Sequence, residues 1–116
     1  MNQRRIVPIS LAALLFFTTE TLADDLKNAA RDLDACYLAS AFVDGAGTCQ
    51  PPPAVVGAVY GDCSREESKF RETAMRVQHP GDQEFGDEVL SQVHQKMKSQ
   101  IESWILDAQI KTRHCP

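Results

Sequence analysis

The sequence lacks the short motifs that mark catalytic or metal-binding chains. The gaps between its four cysteines hold 12, 13 and 51 residues, so no Cys-x-x-Cys pair exists. A zinc knuckle and a thioredoxin-type redox pair are therefore unsupported. His79, His94 and His114 have no partner at His-x-x-x-His spacing, and no Gly-x-Ser-x-Gly elbow occurs. Gly45-Ala46-Gly47 begins a glycine pattern, but Gln50 stands where a third glycine belongs, so no phosphate cradle is indicated. Lysine and arginine form no compact cluster, which argues against nucleic-acid binding. The paired carboxylates Glu66-Glu67 and Asp87-Glu88 open expected helices, where acidic residues suit the macrodipole. No cofactor and no metal is implied, and the expectation is a protein that is not an enzyme.

A long apolar run is also missing. The longest, from Ile6 to Phe17, holds about 12 residues, against roughly 20 needed to span a bilayer. Arg4 and Arg5 precede it, and a short polar stretch ending Thr21-Leu22-Ala23 follows. That order is a secretory signal: a positive end, an apolar centre and a small-residue cleavage site. Residues 1–23 are expected to be cleaved, with Asp24-Asp25 beginning the mature chain and no stable membrane insertion afterwards. No cysteine near the cut suggests lipid attachment, and the Arg4-Arg5 pair alone does not make a twin-arginine signal. The general secretory route of a bacterium, to the periplasm or beyond, is the expected destination.

The mature part, residues 24–116, is a single small domain of 93 residues, with 10 basic and 15 acidic side chains. A chain of this size buries about two-thirds of its unfolded surface and is marginal without help. Cys36, Cys49, Cys63 and Cys115 all lie in it. An even count in a short exported chain reads as a disulfide framework.

Periodicity then gives an all-α fold with a three-helix core at about 25–44, 65–78 and 87–112. In the first helix Leu26, Ala30, Leu33, Tyr37 and Ala41 form an apolar stripe, and Gly45 suits the position just past its end. Ser64-Arg65-Glu66-Glu67 is a capping-box pattern opening the second, which turns Phe70, Ala74 and Val77 inward and stops at His79-Pro80-Gly81. The third, with Asp87 as expected N-cap, carries Leu90, Val93, Met97, Ile101, Trp104 and Ala108 on one seam. Between the first two lies a Gly/Pro-rich loop or short helix at 45–62, containing Pro51-Pro52-Pro53; the short helix is preferred because a lone strand would have no partner. In an up-down-up arrangement Cys115 overshoots Cys36, and a bond between them would be strained. Of the two pairings that remain, Cys36–Cys63 with Cys49–Cys115 is expected, because it ties the loop down at both ends.

Two surfaces merit attention as contact sites. Val55, Val56, Val59 and Tyr60 form an apolar, weakly charged strip in the punctuated segment, either covering the core or meeting a partner. Gln92, Gln95, Ser99 and Ser103 give the long helix a polar face of low charge. The leading expectation is a non-enzymatic protein-binding or accessory factor of the bacterial envelope, of inhibitor, immunity or assembly type, whose partner is another envelope or exported protein. A secreted effector or toxin-like protein is the first alternative, and a small hydrolase with an unrecognised site the second.

Overall fold

The computed structural model describes the backbone of residues 2–113 and 115, with side chains from residue 22 onward. It is all-α. Helix α1 spans Asn2–Ala46, α2 Pro52–Asp62, α3 Ser64–Gln78 and α4 Gln83–Arg113. The expected signal peptide, residues 1–23, falls almost wholly outside the described side chains. Among the described residues no helix is long and apolar enough to cross a membrane.

α1 packs on all three other helices, most extensively on α4. Its buried stripe is Ala29, Leu33, Tyr37 and Ala41, a strict four-residue repeat, whereas Ala30 is exposed. Gly45 lies inside α1 rather than beyond it, because α1 and α4 nearly touch there. A Cβ at Gly45 would stand 2.8 Å from the Ile105 carbonyl oxygen and 3.0 Å from the Ala108 Cβ. The missing side chain is what permits the approach.

The Gly/Pro-rich stretch contains the preferred short helix. Pro51 is extended and Pro52 and Pro53 sit in the first turn of α2, where an absent N–H leaves no intrahelical bond unmade. Cys63 alone separates α2 from α3; its N–H is shared between the Val59 and Tyr60 carbonyls, each at 3.2 Å. Because α2 runs straight into α3 at Cys63, this residue is the N-cap of α3. Ser64 lies within the helix, and no side chain caps it. The capping box is not formed: Glu67 donates its backbone N–H to the Cys63 carbonyl at 2.9 Å and sends its side chain into the core.

α4 starts four residues before the expected N-cap. Asp82 performs that role, its Oδ1 accepting from the Phe85 N–H at 3.0 Å. Asp87 instead pairs with Arg71 on α3 at 3.0 Å. The turn that reverses the chain uses Gly81 at φ 78°, a conformation that strains other residues. At 31 residues, α4 is about 47 Å long.

The fully buried larger side chains are Tyr37, Val59, Cys63, Ile101 and Ile105. Phe70, Val93, Met97 and Trp104 pack against them from the edge and remain partly exposed; Trp104 is thus at the margin of the core rather than in it. Both expected disulfides are present, Cys36–Cys63 with a Cα–Cα distance of 5.9 Å and Cys49–Cys115 with 5.6 Å.

Candidate functional site

The polar chemistry of the fold converges on Glu67. Its position in the first turn of α3 is one helical step before Phe70, on the face that also carries Ala74. That face meets α1 and α4, so the carboxylate is buried. It accepts a hydrogen bond from the Tyr37 hydroxyl of α1 at 2.5 Å, and its other partner is His94 Nε2 of α4 at 2.8 Å. A carboxylate withdrawn from water needs such partners, because unpaired burial of its charge is costly.

Tyr60 of α2 completes the cluster. Its ring stacks on the His94 imidazole, with centroids 3.9 Å apart and planes 12° apart, and its hydroxyl donates to the His94 carbonyl at 3.0 Å. The Tyr37 and Tyr60 rings meet edge to face at 5.7 Å. All four helices therefore contribute one member. Burial, then the hydrogen bond to Glu67 and its charge, push the Tyr37 phenol well above the usual range. Burial first, and then the charges of Glu67 and Glu102, raise Tyr60. Both phenols are held as neutral donors at any physiological pH.

A carboxylate fixing one imidazole nitrogen is the orienting half of a general-base pair. Among the described residues, however, no serine, threonine or cysteine is bonded to His94. An apolar groove of about 220 Å³ lies between α1, α3 and α4, lined by Leu33, Tyr37, Phe70, Val93 and Met97 with Asp34 and Lys96. It shares Tyr37 with the cluster and is smaller than the roughly 300 Å³ at which drug-sized ligand sites begin.

No protein-family model, curated protein or solved structure matches this chain. What its surfaces can do must be read from their own chemistry.

The strip at 55–60 turns inward. Val55, Val56 and Val59 are buried in the core, and Tyr60 is half-buried against His94. Gln92, Gln95, Ser99 and Ser103 are exposed on α4. His79 packs on the Phe85 ring at 4.3 Å, at the α3–α4 turn and apart from the Glu67 cluster; His114 lies outside the described residues. Large apolar side chains do reach the surface elsewhere. On α1, Leu38 is 48%, Phe42 45% and Val43 68% exposed, and on α4 Leu106 is 47% and Ile110 52% exposed.

An acidic pair, Asp44 and Asp62, sits where α1 and α2 end. The Asp44 carboxyl is raised to about 6, first by burial and then by the neighbouring Asp62 carboxylate. Asp44 Oδ2 is enclosed and has no hydrogen-bond partner among the described residues.

Proposed function

We propose that this chain is a non-enzymatic binding or accessory factor exported to the bacterial envelope, acting by contact with another envelope or exported protein. The observation that carries the reading is the pair Leu38 and Phe42, one turn apart on α1 and each nearly half exposed, with Val43 beside them. Scattered single apolar residues on a surface are ordinary, but adjacent large ones mark contact sites. Two disulfides suit an oxidising compartment, and the arginine-led apolar leader supports export to it.

The test places a photo-crosslinking residue at Val43 in the producing cell, with a control at Gly57 of α2, also exposed. One discrete crosslinked partner is expected from position 43 and not from 57, and Phe42→Asp should abolish it. An absence of crosslink at 43, or the same products from both positions, would overturn the reading. A small hydrolase is the second reading, favoured by the imidazole that Glu67 holds. Peptidoglycan cleavage by the purified protein, lost in His94→Gln, would establish it instead.

A further inference from the structure

The walls of the groove between α1, α3 and α4 are of one chemical kind. Leu33, Phe70, Val93 and Met97 line it, and the last three stay partly exposed. Tyr37 adds its ring, and its hydroxyl is already donated to Glu67. The interior therefore offers no free donor or acceptor, and a polar group drawn into it would go unsatisfied. What enters must be hydrocarbon.

Charge appears only at the mouth. Lys96 of α4 and Asp34 of α1 line the groove and are both exposed; among the described residues neither joins an ion pair. Lys27 and Arg31, also exposed, precede Asp34 by seven and three residues and so share its face of α1. Three cations and one anion thus border the groove, in a mature domain with 10 basic and 15 acidic side chains. This local excess of positive charge selects an anionic head.

We propose that the groove binds a medium-chain fatty acid, its alkyl chain lying on Leu33, Phe70, Val93 and Met97 and its carboxylate meeting Lys96. Between the lining residues Ala30 and Tyr37 the groove runs about 10 Å along α1, the reach of a medium-length chain. Its volume of about 220 Å³ suits one slender chain and excludes a two-chain lipid. The tail supplies most of the affinity, because each buried methylene adds roughly fourfold. The exposed Lys96 contact adds at most about fivefold, enough to choose between heads of opposite charge. This site goes beyond the protein contact proposed for Leu38 and Phe42 and does not require it.

The test titrates sodium decanoate at neutral pH, below its micelle-forming concentration, into the full chain with both disulfides intact. Methyl NMR signals of Leu33, Val93 and Met97 report on the groove. Those of Leu106 and Ile110, exposed on α4, report on unspecific adsorption. Saturable shifts at one decanoate per chain are expected in the first set alone, and octanoate should bind about fifteenfold more weakly. Lys96→Gln should weaken decanoate by about twofold to fivefold and leave the neutral alcohol decanol unchanged. Asp34→Asn should strengthen decanoate by a similar factor. Ala30→Trp, at an exposed lining position, should fill the groove and abolish binding, with helicity retained by circular dichroism. A preference for decylamine over decanoate overturns the proposal. Decanol bound as tightly as decanoate, with no effect of Lys96→Gln, overturns it too and reassigns the groove to an apolar anchor of a partner protein. So does an absence of saturable shifts, equal shifts at Leu106 and Ile110, or undiminished binding in Ala30→Trp.

Discussion

Replacing Asp44 by Asn should stabilise the protein at neutral pH and do nothing in acid. Asp44 is raised to about 6 from the ordinary 3.8, because its carboxyl is enclosed beside Asp62. Between these two pH values the native state holds a proton that the unfolded chain has released. The free energy of unfolding therefore falls as pH rises across that window. The favourable contribution of protonated Asp44 is complete below pH 3.8 and gone above about pH 6. At about 1.36 kcal/mol per pH unit the difference amounts to about 3 kcal/mol as an upper limit. Asp44 is partly reached by solvent, and screening brings the expected figure to about 1–2 kcal/mol. Asn cannot ionise and can donate to Asp62, so Asp44→Asn should exceed wild type by that amount at pH 7 and match it near pH 4. Urea unfolding followed by circular dichroism, with both disulfides intact, measures the difference at each pH; titrating groups that do not interact with Asp44 cancel in it. A constant offset across the range, or a less stable variant at pH 7, would refute the reasoning.

Glu67→Ala leaves the Tyr37 hydroxyl and His94 without their shared acceptor and should cost about 2–3 kcal/mol, measured by the same unfolding titration. Gly45→Ala should destabilise by about 1–3 kcal/mol, because the new methyl would meet the backbone of α4 at 2.8 Å. Gly57→Ala meets nothing within 4 Å and should stabilise by up to about 1 kcal/mol through helix propensity; thermal melts of the two variants separate packing from propensity. Cys49→Ser removes a bridge that spans 66 residues and should lower stability by about 2–4 kcal/mol in non-reducing denaturant.

Much of this fold was legible because its apolar spacing is regular. The stripe through Leu33, Tyr37 and Ala41 and the seam through Ile101 and Ala108 each name a buried face, and the overshoot of Cys115 set aside one of the three cysteine pairings. The polar centre was less visible, although its spacing was there. Glu67 precedes Phe70 and Ala74 on the same face, and His94 precedes Met97 and Ile101. A charged residue on an inward face signals a buried pair as well as a cap, and Ser64 ahead of Glu67 favoured the cap. That reading failed because α2 leads into α3 through Cys63 alone, which puts Ser64 inside the helix. Asp87 was likewise displaced as N-cap by Asp82, since helical geometry extends back to Gln83 once Arg71 ties Gln83 and Asp87 to α3. The strip Val55-Val56-Val59 offered two directions, and only the packing of α2 on the core decided between them.

The buried polar network bears on what the outer face of α1 is for. Glu67 is satisfied only when Tyr37 of α1 and His94 of α4 reach it together, so the three helices cannot slide past one another without stranding a charge. Cys36–Cys63 anchors the same level of α1 to the α2–α3 corner. With register fixed from inside, Leu38 and Phe42 are not required to hold the bundle. If this is right, Leu38→Ser and Phe42→Ser, each removing a side chain already about half exposed, should each cost less than about 1 kcal/mol. Leu33→Ala, at a 3% exposed position of the same helix, should cost about 2–5 kcal/mol. Equal losses at the inner and outer positions would mean that the outer face serves the fold, and would remove the basis for assigning it to a partner.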